Sequence, residues 1–489
     1  MLLTKTDFIH YLNCPESLWL LKNRPEEYPN GAFSLFLEKL IKEGYEVEEY
    51  AKSLFPQGVE ISLNTTPDYT LNKLKKEVFL FQPSFITDNN VFARIDVLEK
   101  LDDDSYHIYE VKSSTSIKKD KKHNHIKDAC FQKFVLQENG LEVSKVSIIH
   151  LDKEYIKRGN IIPNDFLDIE NVTEAVNTIY SAVVNEVNAA TTFISKVSIN
   201  DSSCSCRYKT RSNHCDSFTY FNSNIPDYSI YEIGRISAKK VGELVDKDCT
   251  SIIEVPKSFE LNTNQQLQVE SAKQEKALVE TRNIEKYLQK LKYPLHFYDY
   301  ETYASAIPKL DGLKPHQHLP FQVSIHTLAE NGELTHYEYL LEKMEMPDRM
   351  ITEMKDFTHR QGTFISWHAS FENSRNKDMM VLMPHYGEYL SYINEHTFDL
   401  EEIFKKDYVD YRFHGSTSIK KVLPVLCPQF SYTELEVQDG TMALDTWGRM
   451  VLDQNFEEDK KITKSNLLEY CKLDTMAMVE IYFKLRAIT

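Results

Sequence analysis

The sequence predicts a mixed α/β protein with two sheet-containing regions joined by a helical linker. Between 59 and 151, short segments of alternating apolar residues are separated by turn residues and flanked by segments with helical periodicity. A second series of alternating segments begins at 295. The intervening stretch, 221–290, is polar and has helical periodicity. We therefore divide the chain into regions 1–220, 221–290 and 291–489.

The composition is that of an ordinary globular protein, with 489 residues, 42% hydrophobic and 27% charged. No apolar run reaches membrane-spanning length and no secretory signal opens the sequence, so we expect a cytoplasmic protein that does not enter a membrane. The net charge of −17 argues against a basic surface that coats nucleic acid, although a local cleft could still bind phosphate. Two basic stretches, at 117–127 and 207–211, fit either phosphate contacts or a solvated face.

The first region begins with a short helix carrying Cys14 and continues with a longer one over 33–56. The longer helix contains the sequence Gly44-x-x-Val47-Glu48. A mixed sheet is predicted next, and a further helix is expected over 163–199. The strands, with the helix IKDACFQKFVLQENGL before the last of them, are VEISL, VFLFQPSFI, VFARIDVLEKL, YHIYEVKSS and KVSIIHL.

Charged residues on these strands suggest a catalytic site. Asp96 lies in VFARIDVLEKL, and Glu110 and Lys112 are two positions apart, so they share a strand face. Paired acids can bind a divalent cation, and a nearby lysine can position a nucleophilic water or lower its pKa. A Glu-x-Lys pair by itself is also common on surface strands.

The order of these elements resembles the RecB-like nucleases of the PD-(D/E)XK class, whose fold is that of restriction endonucleases. In that family a helix motif of the Gly-x-x-Val-His/Glu type precedes the Asp and Glu-x-Lys motifs, and a helix with glutamine follows. The resemblance implies a mixed sheet with flanking helices. It also implies a site made of Glu48, Asp96, Glu110, Lys112 and Gln132. The family's Gln-x-x-x-Tyr is incomplete here, because Leu136 stands at the tyrosine position.

Three cysteines crowd into CSCRYKTRSNHC, namely Cys204, Cys206 and Cys215. From the residues alone, zinc with Cys14 or His214 as fourth ligand is one interpretation, and unliganded thiols are another. Some RecB-like nucleases hold a [4Fe–4S] cluster with one cysteine before the nuclease core and three after it. That resemblance implies an iron–sulfur cluster on Cys14 and these three, with zinc as the alternative. The remaining cysteines are expected to be buried small hydrophobes: Cys130, Cys249, Cys427 and Cys471.

The second region begins with LHFYDYE, whose alternation predicts a strand. Asp299 and Glu301 then share one face, where their charges repel and favour a divalent cation. An edge strand with two solvated acids is the alternative. A helix predicted from about Asn466 places Tyr470 and Asp474 on one face, since they are four residues apart.

Three further features lie between that strand and that helix. Glu372 follows an apolar run, and Asp399 is a second candidate for the same place in the site. A hairpin is expected with its turn near Asn331-Gly332. A helix is expected to start after Gly415 and to end at Pro424. Its first residues either meet phosphate or form a plain capped surface helix, namely Ser416, Ser418, Lys420 and Lys421.

An Asp-x-Glu strand, a later acid and a Tyr-x-x-x-Asp helix occur in the order of the DEDD exonucleases. Residues 291–489 resemble a DnaQ-like 3′–5′ exonuclease domain with a ribonuclease-H-like fold. The resemblance implies that Mg²⁺ or Mn²⁺ is held by the carboxylates and that Tyr470 orients the attacking water. The family's middle motif ends in aspartate where this chain has glutamate. The implied metal ligands are Asp299, Glu301, Glu372 and Asp474, with Asp96 and Glu110 in the first region.

Taken whole, the chain resembles bacterial proteins that fuse a RecB-like nuclease to a DnaQ-like exonuclease. We therefore expect a metal-dependent nuclease with two sites, acting on nucleic acid, with DNA favoured over RNA. The alternative is a nucleic-acid-binding scaffold in which one or both nuclease sites are inactive. No helicase or phosphate-loop motif is present, so ATP-driven translocation is not implied.

Overall fold

The computed structural model shows a mixed α/β protein made of two compact units, Met1–Ile225 and Pro226–Thr489. Within the described residues, no helix is both long enough and apolar enough to cross a bilayer. The structure describes residues 1–29, 31, 34–62, 65, 67–120 and 123–489, excluding the side chains of 67 and 68.

The N-terminal unit contains two sheets. A mixed sheet has the order β2-β3-β6-β7-β8-β9, and a smaller sheet has the order β1-β5-β4. Strands β7 and β8 are parallel, and neither is an edge strand of the larger sheet. The strands are β1 (Leu3–Thr4), β2 (Val59–Glu60), β3 (Phe79–Phe81), β4 (Ser84–Ile86), β5 (Val91–Arg94), β6 (Val97–Lys100), β7 (Tyr106–Lys112), β8 (Val143–Leu151) and β9 (Leu167–Asn171).

Helices α5 and α7 share one apolar core with the central strands. The helices of this unit are α1 (Lys5–Asn13), α2 (Pro15–Asn23), α3 (Leu35–Lys52), α4 (Pro67–Leu74), α5 (His125–Glu138), α6 (Pro163–Phe166), α7 (Thr173–Ile194) and α8 (Phe218–Phe221). Cys14 was expected to lie within a short helix, but it lies between α1 and α2. Helix α3 ends at Lys52, four residues before the proline at 56.

The segment predicted as one strand, 78–86, is two strands in different sheets. Strand β3 pairs with β6, whereas β4 pairs with β5. The break falls at Gln82, whose φ of 55° is left-handed, and at the following Pro83, which has no amide hydrogen to donate to a sheet. This bend brings the Gln82 side chain close to Asp96 and Glu48, as described below.

The long helix expected over 163–199 is interrupted. Only α6 and α7 are helical, and β9 between them pairs antiparallel with β8 at the edge of the sheet. Backbone pairing with β8 is available only in the folded unit, so the helical periodicity of the segment could not reveal it. Leu167 is buried in β9, and the following four residues are exposed.

The C-terminal unit is built on a mixed sheet with the order β13-β12-β11-β14-β15. Strands β11, β12 and β13 are antiparallel neighbours, and β14 and β15 continue the sheet in parallel. The expected hairpin is present as β12 and β13. The strands are β10 (Leu278–Val279), β11 (Leu295–Tyr303), β12 (Leu319–Leu328), β13 (Leu334–Leu340), β14 (Thr363–Ser366), β15 (Thr397–Asp399) and β16 (Tyr408–Val409).

The longest helix of this unit packs across β11 and β12 and begins at Lys460, six residues before the expected start. The helices are α9 (Ala238–Val245), α10 (Thr263–Gln274), α11 (Thr281–Leu288), α12 (Asp348–Thr358), α13 (Ser370–Leu382), α14 (Gly387–Glu395), α15 (Glu401–Lys406), α16 (Ile419–Leu426), α17 (Gly440–Leu452) and α18 (Lys460–Ala487). Pro424 lies inside α16 and does not end it.

The expected linker, 221–290, is mostly part of the C-terminal unit, which begins at Pro226. Strand β10 pairs antiparallel with β16. In addition, Gln265 in α10 donates a hydrogen bond to the carbonyl of Gly234, and Gln268 accepts one from its amide. These two glutamines are polar but buried, and they satisfy backbone groups of the Gly234 loop.

Candidate functional sites

Alternation along β11 places Asp299 and Glu301 on one face of the sheet. Tyr298 and Tyr300 point to the other face, where both are buried in an apolar cluster. Helix α18 is held against the sheet by Thr475, whose hydroxyl oxygen lies 2.7 Å from Ser324 Oγ and 2.8 Å from His326 Nδ1. This contact fixes the face of α18 that carries Tyr470 and Asp474.

Three carboxylates converge where β11 meets α18. One oxygen from each of Asp299, Glu301 and Asp474 lies within 4.8 Å of the other two. Glu301 and Asp474 are buried, and Asp299 is partly buried. Three acids this close can share a divalent cation, which prefers hard oxygen ligands.

The electrostatics of this cluster match a cation site. Burial, followed by the charge of Asp474, raises the pKa of Asp299 well above its usual value. Burial and the two neighbouring aspartates raise the pKa of Glu301 in the same direction. Burial raises the pKa of Asp474 to about 6, opposed by Tyr432 and Lys420. A bound cation would relieve the repulsion that these shifts reflect.

Glu372, in the first turn of α13, lies outside the group of three acids but interacts electrostatically with Asp299 and Glu301. It is 3% exposed, and its Oε2 atom has no hydrogen-bond partner within the described structure. Burial and then the charge of Asp299 raise its pKa. The second candidate, Asp399, instead accepts hydrogen bonds from the backbone amides of His368 and Glu401. An unpartnered buried oxygen beside other acids favours Glu372 as the additional ligand.

Three residues that the sequence did not single out for this site contact it. Tyr432 donates a hydrogen bond to Asp474 Oδ1 over 2.7 Å. Cys471 Sγ lies 3.6 Å from Asp299 Oδ2. Gly440, at the start of α17, lies so close to Glu301 that an added Cβ would be 3.3 Å from its Oε2. The positive end of the α17 dipole therefore lies next to Glu301.

The positive charge of Lys420 lowers the pKa of all three acids. Its Nζ lies 5.3 Å from the ring centre of Tyr470 and 5.5 Å from that of Tyr432, and it donates to the Gln438 carbonyl over 2.6 Å. Lys420, one of the residues expected to meet phosphate at the start of α16, thus lies near two tyrosine rings of the site. Tyr470 itself is almost fully buried.

The N-terminal unit brings its predicted residues together around Glu110. This carboxylate is 1% exposed, and Lys112 Nζ lies 2.8 Å from its Oε1 atom. Gln132, on α5, donates to the other oxygen. Lys112 also forms an ion pair with Asp128 at 2.6 Å. Lys5, which the sequence did not indicate, lies 2.5 Å from Glu110 Oε1.

Asp96 and Glu48 are linked by Gln82, a second residue missed by sequence analysis. The Gln82 amide donates to Glu48 Oε1 over 2.5 Å and to Asp96 Oδ1 over 3.2 Å. The backbone amide of Val111 donates to Asp96 Oδ2 over 2.8 Å. Glu48 is also paired with Lys52, one turn along α3.

Different neighbours shift the pKa values of Asp96 and Glu110 in opposite directions. Burial and the charge of Glu110 raise the pKa of Asp96 to about 7. Burial opposes ionisation of Glu110, but Lys112 and Lys5 outweigh it and hold its pKa well below the usual value. Glu110 is therefore a carboxylate whose charge is already balanced by lysines.

The four predicted cysteines meet in a separate small cluster of the N-terminal unit. Cys14, Cys204, Cys206 and Cys215 are all buried, and their sulfur atoms lie within 4.8 Å of one another. This buried group could bind a metal. Leu20 and Phe221 pack against it, apart from the main core. The other four cysteines are buried outside this group, as expected.

Neighbouring polar groups support the cysteine site. The Asn222 amide donates to Cys204 Sγ over 3.4 Å, and Cys204 Sγ lies 4.0 Å from Cys215 Sγ. For a tetrahedral ion with metal–sulfur bonds of about 2.3 Å, the sulfurs would lie roughly 3.8 Å apart. The separation of Cys204 Sγ and Cys215 Sγ is close to that value. A four-iron cluster is larger and would require the sulfurs to separate.

Comparison with known proteins finds a partial match in the C-terminal unit. Residues 296–418 match a family described as a domain of unknown function, DUF2779. This segment includes all of β11 except its first residue, contains Glu372, and ends before Tyr470 and Asp474.

Two curated proteins are similar to part of the chain. The first, "Uncharacterized protein MG366 homolog" of Mycoplasma pneumoniae, is 27% identical over 213 residues, which are 40% of this chain and 32% of that protein. The second, "Uncharacterized protein MG366" of Mycoplasma genitalium, is 25% identical over 214 residues, 39% of this chain and 32% of that protein. The chain thus spans about a third of the length of the curated relatives it matches.

Proposed function

We propose that the C-terminal unit is a metal-dependent nuclease that removes nucleotides from 3′ ends. The observation that carries this proposal is the convergence of Asp299, Glu301 and Asp474 within 4.8 Å. Glu372 adds a buried oxygen without a partner next to this group. The strand order β13-β12-β11-β14-β15 supports the resemblance to ribonuclease-H-like exonucleases.

The residues present fit Mg²⁺ or Mn²⁺. All candidate ligands are carboxylates whose pKa values are raised by burial, and neighbouring acids raise those of Asp299, Glu301 and Glu372 further, so a divalent cation would stabilise the charged forms. When bound, such ions lower the pKa of water and stabilise the leaving oxygen. Asp299, Glu301, Asp474 and Glu372 would hold them.

The remaining residues of the site then have distinct tasks. Tyr470 presents its hydroxyl from the same helix face as Asp474 and orients the attacking water. Tyr432 fixes the Asp474 carboxylate through its hydrogen bond. Lys420, held by the carbonyl of Gln438, supplies a positive charge near the acids for the substrate phosphate.

Incubation with labelled nucleic acids tests the proposal. Single- and double-stranded DNA and RNA, each labelled at the 5′ end, would be mixed with the full-length protein and Mg²⁺ or Mn²⁺. We expect a ladder of products shortened from the 3′ end, with DNA as the better substrate. Products would be absent with chelator. If no substrate is shortened under any condition but binding is seen, the protein is a nucleic-acid-binding scaffold and the nuclease proposal fails.

Replacement of Tyr470 by phenylalanine should slow 3′ trimming less than Asp474→Ala does. The substitution keeps the buried ring and removes only the hydroxyl, so water is misplaced while the carboxylates remain. We expect a loss of roughly ten- to a hundredfold in kcat, with little change in KM. Tyr389→Phe is a matched control, because its buried hydroxyl bonds to Thr358 on the other side of the sheet. Equal rates for Tyr470→Phe and the parent would show that the Tyr470 hydroxyl has no role in the reaction.

We also propose a second nuclease site in the N-terminal unit. Its support is the convergence of Glu110, Lys112 and Gln132, with Asp96 and Glu48 joined through Gln82. A divalent cation would be held by Asp96 and Glu110. Gln132 Oε1 is buried without a hydrogen-bond partner among the described residues, so the site has an unused acceptor.

Glu110→Ala and Lys112→Ala should abolish any cutting that does not start at a 3′ end and leave 3′ trimming intact. The two sites belong to different compact units, so their effects should be close to additive. Circular single- and double-stranded DNA, which lack ends, would report the N-terminal activity alone. Glu186→Ala is the control, since Glu186 pairs with Lys127 outside the site. If Asp299→Ala and Glu110→Ala each removed the same single activity, there would not be two independent sites.

We propose further that the four cysteines bind a metal centre that stabilises the N-terminal unit. Iron–sulfur is the cofactor that the sequence resemblance favours, whereas the sulfur spacing favours a single tetrahedral ion such as zinc. Protein purified without oxygen would be analysed for iron, sulfide and zinc. Brown protein with four irons would establish the cluster, and colourless protein with one zinc would establish the single ion.

A further inference from the structure

Lys5 uses the same Glu110 oxygen that a divalent cation would need. Its Nζ lies 2.5 Å from Oε1, where Lys112 is also within 2.8 Å. Gln132 donates to Oε2. Both oxygens of this buried carboxylate are therefore engaged by donors of the protein itself.

The position of Lys5 is fixed by the backbone on which it stands. Leu3 and Thr4 pair with Val91 and Phe92 in the smaller sheet. Thr4 then caps α1, exchanging hydrogen bonds with Asp7 in a capping box. A short strand and a capped helix thus hold the Lys5 Cα at a position from which its side chain reaches Glu110.

The positive charge of Lys5 lies at the end of α1 where the helix dipole disfavours a cation. Lys5 is the first residue of α1, at the positive end of the helix. The dipole disfavours a cation there, and the ion pair with Glu110 opposes that effect. The contact with Glu110 therefore accounts for a lysine at a position that otherwise favours an acid.

The two carboxylate sites differ in this respect. In the C-terminal unit, within the described residues, neither Asp299 nor Asp474 has an ion pair with a lysine or arginine, and Glu372 keeps an unpartnered oxygen. In the N-terminal unit, two lysines lie on Glu110. The first arrangement leaves carboxylate oxygens to a cation, and the second balances the charge internally.

We propose that Lys5 competes with the divalent cation for Glu110 and so sets the metal affinity of the N-terminal site. This inference rests on the proposed N-terminal site, but not on its cutting nucleic acid. In the arrangement seen, metal reaches Glu110 only when the Lys5 ammonium leaves it. The N-terminal site is consequently the weaker of the two metal sites, and Lys5 contributes to the difference together with Lys112, which contacts the same oxygen.

Binding of Mn²⁺ tests this without any measurement of activity. Full-length protein carrying Asp299→Asn, which weakens the C-terminal site, would be titrated with Mn²⁺ and the free ion followed by electron paramagnetic resonance. Adding Lys5→Met should lower the Kd of the site removed by Glu110→Ala by about tenfold or more. Lys5→Arg keeps the charge and should leave Kd near the parent value.

Lys127→Met is the matched control. Lys127 is similarly exposed and forms an ion pair with Glu186 in the same unit, so its loss changes the net charge equally. It should not change Mn²⁺ binding. Lys5→Gln, a second neutral variant, repeats the test if Lys5→Met does not fold.

Three results would overturn the proposal. Mn²⁺ could bind no more tightly to the neutral variants than to the parent. The tighter site could survive Glu110→Ala, which would place the ion elsewhere. Lys127→Met could tighten binding as much as Lys5→Met. Failure to cut nucleic acid would count against the proposed function alone, since binding is measured separately.

Discussion

Replacing Asp299, Glu301 or Asp474 by alanine should reduce 3′ trimming by on the order of a thousandfold or more. Each variant removes one of three carboxylates that lie within 4.8 Å of one another. Metal activation of water and stabilisation of the leaving oxygen supply several kcal/mol, and each 1.4 kcal/mol corresponds to about tenfold in rate. The rates would be measured at saturating metal with 5′-labelled DNA.

Stability measurements would separate loss of metal binding from misfolding. Asp299→Asn keeps the shape of the side chain and removes a negative charge that is unfavourable beside Asp474 in a buried position. Without divalent metal it should unfold at a temperature equal to or above that of the parent. Added Mn²⁺ should raise the unfolding temperature of the parent more than that of the variant.

Glu388→Ala is the matched control for the same unit. Glu388, in α14, is exposed and pairs with Arg360. Its loss should leave both trimming and the Mn²⁺ effect unchanged. A retained rate in Asp299→Ala or Asp474→Ala would exclude these acids as ligands and would leave the carboxylate cluster without a catalytic role.

Residue spacing predicted the local geometry of the carboxylate cluster because the spacing has a direct geometric meaning. Two residues apart on a strand means one face, and four apart on a helix means one face. The structure has Asp299 and Glu301 on β11 and Tyr470 and Asp474 on α18. That the β11 pair and the α18 pair lie together follows only from the fold. The sequence indicated it only through its resemblance to a family.

Other site residues lack such a pattern. Gln82 reaches Asp96 because the chain bends at a left-handed residue before proline, and no periodicity marks that bend. Tyr432 lies in a segment without regular structure between α16 and α17. Lys5 had one available signal, a cation at the start of a capped helix, where acids are favoured. That anomaly could have been read from the sequence.

The helix expected over 163–199 shows where local preference loses to pairing. The periodicity of the segment predicts a helix, yet five of its residues form β9 because β8 offers an unpaired edge. Such an edge is created by the rest of the unit and is not encoded locally. Pro424 shows the reverse case: its helix continues for two more residues because later backbone groups still pair, as Cys427 does with Leu423.

Replacing Cys206 by serine should abolish metal binding at the four-cysteine site and destabilise the N-terminal unit. The ligands join the turn after α1 to a segment near the end of the unit, and few apolar residues surround them. Metal binding therefore contributes free energy that this small cluster cannot supply by packing. A loss on the order of 3 kcal/mol should lower the unfolding temperature by about 6–12 °C for a unit of this size.

Calorimetry of the full-length protein and metal analysis would be done on the same samples. Cys14→Ser should behave like Cys206→Ser, because either change leaves three thiolates and breaks the same link. Cys249→Ser, a buried cysteine of the C-terminal unit, is the control and should keep the metal content of the parent. Chelation of the parent should reproduce the lowered unfolding temperature and should have little effect on Cys206→Ser. If Cys206→Ser retained its metal and its unfolding temperature, the cysteines would be buried thiols packed together, with no metal between them.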